Sequence, residues 1–391
     1  MATTNPLADT NKTHKPVSTK SFCIAGIDTD IFGLEELSSA SKSVSCLWLL
    51  HPRLQAKEIM AAVAASCIND WNQRPAADRA VGLIAVAFDQ RNHGGRKVHD
   101  LANQAWREGN ATHAQDMFSI YHGTALDTSL LIDHIGSYIF LGPNDPTVTQ
   151  HLVMGISLGG HAAWQVLFNE PRVTAGVVII GCPDYMKKPA LVTIRLLLSY
   201  HLSYLSHSST FSRFIFKYSL TPPKDVMTDR ARLSKLSDYT TSSPPGSNFL
   251  GSPSFPLSLI AALEKSDPRA LLFSTSSIPS TSDLTTSERA RLSSLLKSSI
   301  ANKSVLVCSG GADKLVPYSS SAPFLAFLKE ATDQETGWWK EDGCMVDDRV
   351  YEGVGHAYSE GMAKDTVAFV RKVLEREVET RGSNGKEGAR L

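Results

Sequence analysis

The sequence predicts an α/β protein with a doubly wound, mostly parallel sheet and an inserted helical lid. Short apolar runs that fit buried strands alternate with longer amphipathic segments that fit helices. The strand-sized runs are apolar almost throughout, as expected of parallel strands that are covered on both faces. A long serine- and proline-rich excursion then interrupts the alternation before its last strands. So long an excursion is uncommon as a plain loop, and it predicts an insertion over the sheet.

The predicted elements follow one another along the chain in a regular alternation. The strand-sized apolar runs lie at 44–50, 81–88, 150–155, 173–180 and 304–309. The main helical patterns lie at 56–68, 125–138, 158–168, 320–331 and 359–375. Strands that alternate with helices in this way predict a parallel sheet with helices on both faces.

These elements divide the chain into five parts. Residues 1–20 are polar and predict a disordered leader. The predicted core has two parts, with the insertion between them and a flexible tail after them: core 21–183, lid 184–302, core 303–376 and tail 377–391. The lid carries apolar helical patches and serine-rich joints, which is typical of a mobile cover over a ligand site.

Composition excludes several classes of function. Lysine plus arginine equals aspartate plus glutamate at 39 each, whereas a nucleic-acid partner usually requires a basic excess. No apolar stretch approaches the roughly 18 residues of a membrane span. No spacing typical of metal ligands and no phosphate-binding glycine loop occurs, so the sequence predicts neither a metal nor another cofactor.

The chain ends and the cysteines bear on location. The N-terminal residues lack the basic start and apolar core of a secretory signal. The six cysteines are scattered through apolar runs, which indicates reduced, buried thiols rather than a disulfide framework. The last residues, Ala389-Arg390-Leu391, resemble a peroxisomal address and predict an import receptor as partner. Peroxisome and cytoplasm stay open as alternatives, and secretion is not expected.

A candidate nucleophile follows the predicted strand 150–155. The segment Gly155-Ile156-Ser157-Leu158-Gly159 has the Gly-x-Ser-x-Gly pattern directly before a helical run. This pattern places its serine on a sharp strand-to-helix turn, where the hydroxyl is exposed above the sheet. The N–H of Leu158, at the helix N-terminus, is then a candidate donor to a developing oxyanion. A chance match is the alternative, but a strand before and a helix after favour the functional interpretation.

An acid and a base follow the nucleophile in the order expected of such sheets. Asp313 comes directly after the buried strand 304–309, where catalytic groups of open sheets collect. His356 lies in a glycine-rich loop after the strand-like residues 349–351. Asp313 could instead be a turn-forming aspartate. Asp184, which follows strand 173–180, is therefore kept as the reserve acid.

These motifs together resemble the α/β-hydrolase superfamily over residues 21–375. The motifs are Leu49-Leu50-His51, Asp89-Gln90-Arg91-Asn92-His93-Gly94, the Ser157 turn, Gly310-Gly311-Ala312-Asp313 and Gly353-Val354-Gly355-His356. The resemblance implies that the turn from Asp89 to Gly94 is mainly structural. The long lid and the Asn-His-Gly-Gly-Arg variant resemble fungal hydrolase-like proteins, some of them peroxisomal, of secondary-metabolite and toxin pathways.

The implied activity is hydrolysis of an ester or thioester of a small-molecule acyl substrate through an acyl-enzyme on Ser157. One departure concerns His51, which is followed by Pro52, a residue without an N–H. The second oxyanion donor is then the N–H of Arg53, or the oxyanion hole is incomplete. Cleavage of a carbon–carbon bond, acyl transfer and a catalytically silent binding protein stay open as alternatives. Epoxide hydrolase and dehalogenase chemistry is disfavoured, because those relatives carry aspartate at the Ser157 position.

Overall fold

The computed structural model describes residues 5–8, 15–75, 79–186 and 248–387 of the chain. Within these residues, eight strands form one sheet in the order β1-β2-β4-β3-β5-β6-β7-β8. The strands are β1 (Thr19–Ile24), β2 (Ile27–Phe32), β3 (Ser43–Leu50), β4 (Val81–Phe88), β5 (Thr147–Ile156), β6 (Val173–Ile179), β7 (Ser304–Gly310) and β8 (Met345–Tyr351). Strand β2 pairs antiparallel with β1 and with β4, and every pair from β4 to β8 is parallel.

Helices cover both faces of this sheet. In chain order they are α1 (Ala61–Asn72), α2 (His113–Ile139), α3 (Leu158–Asn169), α4 (Leu257–Leu263), α5 (Pro268–Phe273), α6 (Thr286–Ser299), α7 (Tyr318–Thr332) and α8 (Glu360–Glu387). Side chains of α1 and α8 bury one face of the sheet, and side chains of α2 to α7 bury the other. The strand order and this double cover confirm the predicted fold class and are those of the α/β-hydrolase fold.

The five predicted core strands correspond to β3, β4, β5, β6 and β7, with ends that differ by at most three residues. Every residue of β3 and of β4 is buried, which explains why their sequences are apolar at nearly every position. The two N-terminal strands were not predicted. β1 lies at the sheet edge and is mostly exposed, so its sequence Thr-Lys-Ser-Phe-Cys-Ile carries no continuous apolar run.

Two helices extend beyond their predicted bounds. Helix α2 begins at His113, twelve residues before the predicted start, and its first half mixes polar residues with a buried face. Helix α8 continues through Glu387, so part of the segment predicted as a flexible tail from residue 377 is helical. The C-terminal tripeptide lies outside the described residues.

The polar leader predicted over residues 1–20 also differs where the structure describes it. Leu7 is fully buried in the core that α1 and α8 cover. Further along, the side chain of Asn69 on α1 donates to the backbone carbonyl of Lys15. A single buried apolar side chain in a polar stretch gives no periodic signal, so the sequence alone does not predict this docked segment.

Most of the predicted lid, residues 187–247, lies outside the described residues. The described remainder holds α4, α5 and α6, and these helices contribute Leu263, Leu272 and Leu292 to the core on the α3 side of the sheet. The residues at the start of the predicted lid are joined to the start of α5. The N–H of Arg269 donates to the Pro183 carbonyl, and the N–H of Tyr185 donates to the carboxylate of Asp267.

Candidate active site

Ser157 occupies a strained turn between β5 and α3. Its backbone angles, φ 57° and ψ −113°, lie in a region that non-glycine residues rarely adopt. The flanking glycines explain how the turn is accommodated. A Cβ on Gly155 would lie 1.9 Å from the Gly159 carbonyl oxygen, and one on Gly159 would lie 2.0 Å from the Leu50 carbonyl oxygen. Both positions therefore require glycine, which is why the pattern appears in the sequence.

The structure brings the three predicted residues, Ser157, His356 and Asp313, into a continuous hydrogen-bonded chain. The Ser157 Oγ lies 2.8 Å from the Nε2 of His356, and the Nδ1 of His356 lies 2.8 Å from Oδ2 of Asp313. The other carboxylate oxygen of Asp313 accepts from the N–H groups of Leu315 and Val316, at 2.8 and 2.9 Å. The Asp313 carboxylate is fully buried, and about 15% of the His356 side chain is exposed. Since an ionised carboxylate only accepts, Nδ1 of His356 carries the proton and Nε2 is free to accept one.

Two loops at the carboxyl ends of β7 and β8 carry the acid and the base. They are tied together by backbone hydrogen bonds from Gly311 N–H to the Tyr351 carbonyl and from Ala312 N–H to the Val354 carbonyl, both at 2.8 Å. The close crossing requires a glycine, because a Cβ on Gly310 would lie 2.5 Å from the Gly355 carbonyl oxygen. Sequence reasoning missed this role of Gly310, since its neighbour lies 45 positions further along the chain.

The segment after β3 forms the opposite wall of the site. The close approach of Gly159 to Leu50 and His51 places the first turn of α3 against the end of β3. Leu158 is the first residue of α3, so its N–H is among those that have no carbonyl partner within the helix. The structure thus places the start of α3 against Leu50 and His51, two residues before Arg53.

A buried network holds this segment in place. The N–H of Gln90 donates to Nε2 of His51 at 2.9 Å, so Nδ1 of His51 carries the proton and donates to the Pro52 carbonyl at 2.8 Å. The Gln90 side chain in turn donates to the His51 carbonyl. Burial lowers the pKa of His51 to about 4, which keeps the ring neutral. These contacts fix the backbone on either side of Pro52, and sequence reasoning missed Gln90 as their source.

The turn from Asp89 to Gly94 supports the same wall. Its carboxylate, on Asp89, accepts the N–H groups of Lys57 and Gly95 at 2.9 and 2.8 Å. Both Arg91 and Arg96 pair with the buried carboxylate of Asp127 on α2. These contacts join the turn to the segment after β3 and to α2.

The reserve acid, Asp184, lies in a different cluster. Its carboxylate faces the guanidinium of Arg269, at 3.7 Å, and accepts the N–H of Met186 at 3.0 Å. Burial and the charge of Asp184 together raise the pKa of Asp267 to about 8. These contacts join the start of the predicted lid to the start of α5. The described contacts of His356 are with Asp313 and Ser157, so Asp313 is the acid that the structure pairs with the base.

In the described part of the chain, no group of three histidine, cysteine or acidic side chains is arranged to hold a metal ion. Within the same residues, no helix is both long enough and apolar enough to cross a membrane. No disulfide bond joins the described cysteines, and four of them, Cys46, Cys67, Cys308 and Cys344, are buried.

Comparison with known proteins shows similarity at the level of structure only. No family model and no curated protein matches the chain. A Thermus thermophilus protein is 15% identical with a TM-score of 0.49, over 92% of this chain and 99% of its own. An esterase of Pyrobaculum calidifontis is 12% identical with a TM-score of 0.41, over 94% and 88%. An acylaminoacyl peptidase of Pyrococcus horikoshii is 12% identical with a TM-score of 0.41, over 92% of this chain but only 41% of that longer chain.

Proposed function

We propose that the protein is a serine hydrolase that cleaves an ester or thioester through a covalent acyl-enzyme on Ser157. The hydrogen-bonded chain from Ser157 through His356 to Asp313, on a strained turn, carries this proposal. A serine hydroxyl is a weak nucleophile unless a base takes its proton as it attacks. The Nε2 of His356, 2.8 Å from the Ser157 oxygen, is placed to do so.

The reaction proceeds in two steps. In acylation, Nε2 of His356 takes the proton of Ser157 while the serine oxygen attacks the substrate carbonyl. Protonated His356 then gives this proton to the departing alcohol or thiol. In deacylation, His356 takes a proton from water, the resulting hydroxide attacks the acyl-enzyme carbonyl, and the carboxylic acid leaves as Ser157 regains its proton. Asp313 holds Nδ1 of His356 and stabilises the imidazolium of each step.

The oxyanion of each tetrahedral intermediate is held by two backbone N–H groups in this proposal. One belongs to Leu158 at the start of α3, where the helix dipole adds to the hydrogen bond. The other belongs to Arg53, the first residue after Pro52 with an N–H. The buried bonds of His51 and Gln90 support the second assignment, because they hold the loop rigid before any charge develops.

The finer part of the proposal concerns substrate and location. The apolar patches of residues 194–218 favour a medium-sized, fairly apolar acyl group, and the resemblance to fungal hydrolase-like proteins suggests an acyl intermediate of secondary metabolism. If the C-terminal Ala389-Arg390-Leu391 is read as an address, an import receptor is a partner and the peroxisome is the location. Deletion of Leu391 from a fluorescently tagged protein distinguishes this from the cytoplasm.

Labelling with a fluorophosphonate probe tests the reaction class. We expect the wild type to be labelled at Ser157, and Ser157→Ala and His356→Ala to lose labelling. The control His134→Ala, an exposed histidine on α2, should label like the wild type. A folded wild type that resists the probe and hydrolyses no ester or thioester would indicate the silent binding protein instead. Transfer of the acyl group to an added alcohol or amine would indicate an acyltransferase.

A further inference from the structure

A short N-terminal turn is built into the protein core near the candidate site. Residues 5–8 form a turn. The side-chain oxygen of Asn5 accepts the N–H of Leu7 at 2.9 Å, and the backbone carbonyl of Asn5 accepts the N–H of Ala8 at 3.1 Å. Leu7 has no exposed surface and belongs to the core between the sheet and α8. The segment is therefore a docked part of the fold.

This turn makes a direct backbone contact with the loop that carries His356. The carbonyl of Pro6 accepts the N–H of Tyr358 at 2.8 Å. The Tyr358 side chain is 4% exposed and is buried in the same core as Leu7 and Met362. Tyr358 lies two residues after His356, at the point where the loop leads into α8. Residues 5–8 thus hold the downstream end of the His356 loop.

Between its ends the loop is held by two short-range backbone bonds, from Val354 N–H to the Tyr351 carbonyl and from Ala357 N–H to the Gly355 carbonyl. Gly353 has a positive φ of 71°, and a Cβ on either Gly353 or Gly355 would meet nothing within 4 Å. Glycines in open surroundings leave the backbone free to change conformation. The upstream end is fixed by the bond from Ala312 N–H to the Val354 carbonyl. The position of the imidazole between these ends therefore depends on both ties.

We propose that residues 5–8, here called the N-terminal clasp, position His356 by fixing Tyr358. The clasp touches neither substrate nor the reacting atoms in this proposal, and acts only through the loop. Its effect on catalysis rests on the proposed hydrolase function, whereas its effect on the His356–Asp313 hydrogen bond does not. A displacement of about 1 Å at a catalytic group lowers rates by roughly a hundredfold. Loss of the clasp should therefore reduce turnover far more than it reduces substrate binding.

Variants of Leu7 in the full-length chain test the clasp. Leu7→Asp places a charge in an apolar core and should expel the clasp, and Leu7→Ala is a milder second variant. Leu7→Met keeps an apolar side chain of similar size and should behave like the wild type. The matched control is Ser18→Ala, which removes the bond from Ser18 to Glu36 further along the same N-terminal stretch.

Two measurements report on the loop without requiring activity. The first is the downfield proton resonance of His356 Nδ1–H bonded to Asp313, assigned by its absence in His356→Ala. The second is hydrogen exchange of the Tyr358 amide, which Pro6 protects. We expect Leu7→Asp and Leu7→Ala to broaden the resonance and to speed Tyr358 exchange at least tenfold. Leu7→Met and Ser18→Ala should leave both unchanged.

The kinetic consequence is measured with p-nitrophenyl butyrate as the probe. We expect kcat to fall about ten- to a hundredfold in Leu7→Asp while KM changes less than threefold. An unaltered His356 resonance and unaltered Tyr358 exchange in folded Leu7 variants would overturn the clasp, whatever the activity. If the wild type shows the resonance but neither labels with fluorophosphonate nor hydrolyses the ester, the hydrolase proposal fails, and the resonance still decides for or against the clasp.

Discussion

Replacement of Gly310 by alanine perturbs the base without touching any residue of the hydrogen-bonded chain. The new Cβ would lie 2.5 Å from the Gly355 carbonyl oxygen and 2.6 Å from the Val354 carbonyl oxygen, whereas ordinary contacts begin at 3.4 Å. The loop must therefore retreat by about 0.9 Å, and His356, the residue after Gly355, moves with it. A displacement of this size costs about a hundredfold in kcat. The crowding should also lower the free energy of unfolding by about 1–3 kcal/mol.

The matched control lies in the same loop. Gly355→Ala adds a Cβ that meets nothing within 4 Å, at a position whose φ is not left-handed, so we expect near wild-type activity. Both variants are assayed by p-nitrophenyl ester hydrolysis and by the rate of fluorophosphonate labelling, with urea unfolding to establish that they are folded. The reasoning is refuted if folded Gly310→Ala keeps wild-type kcat, or if Gly355→Ala loses as much activity as Gly310→Ala.

Three further predictions concern the oxyanion donor Arg53, the catalytic acid Asp313 and the buried carboxyl group of Asp267. Arg53 precedes Leu54, which has a φ of 61°, in a turn closed by Gln55 N–H and the Pro52 carbonyl, and proline is favoured at that position. Arg53→Pro should therefore keep the fold but lower kcat about 10²–10³-fold, whereas Arg53→Ala keeps the N–H and most activity. Asp313→Asn should lower kcat by about 10⁴-fold with KM little changed, because the wrong histidine tautomer is favoured. The folded state retains the Asp267 proton up to about pH 8, but the unfolded chain loses it near pH 3.8. Stability should therefore fall with rising pH in that window, by at most about 1.4 kcal/mol per unit, and Asp267→Asn should flatten this slope in urea unfolding from pH 5 to pH 9.

The part of the fold that the sequence predicts is the part buried on both faces. Strands β3 and β4 are apolar at nearly every position because helices cover each side, so their sequences alone indicate parallel strands. Strand β8, at the opposite edge from β1, alternates between exposed and half-buried residues and carries Asp347, Asp348 and Arg349. Only its last residues appear strand-like in the sequence. Edge strands are set by their pairing partners, and those are not visible locally.

The candidate site divides in the same way. Ser157 and its glycines are recognisable because the turn spans five residues and one of its close contacts, between Gly155 and Gly159, is local. The pairing of Asp313 with His356 could be predicted only as an order along the chain, and its geometry required the structure. The supports behind the site were missed altogether. Gln90 and Tyr358 are ordinary buried residues whose partners lie 39 and more than 300 positions away.

Support of the base differs in kind from support of the nucleophile. At the nucleophile turn, a Cβ added to Gly155 or Gly159 would lie 1.9 or 2.0 Å from a backbone carbonyl oxygen. Only glycine therefore fits at these two positions, and the surrounding backbone is closely packed. The His356 loop is instead held by backbone hydrogen bonds to Ala312 on one side and Pro6 on the other, and by its close approach to Gly310. The Cβ positions of its own glycines, Gly353 and Gly355, are unobstructed. A substitution at the nucleophile turn should therefore disrupt folding as well as activity. A substitution at either tie of the loop should leave a folded protein whose base is misplaced, which is the reason that kcat and stability must be measured together.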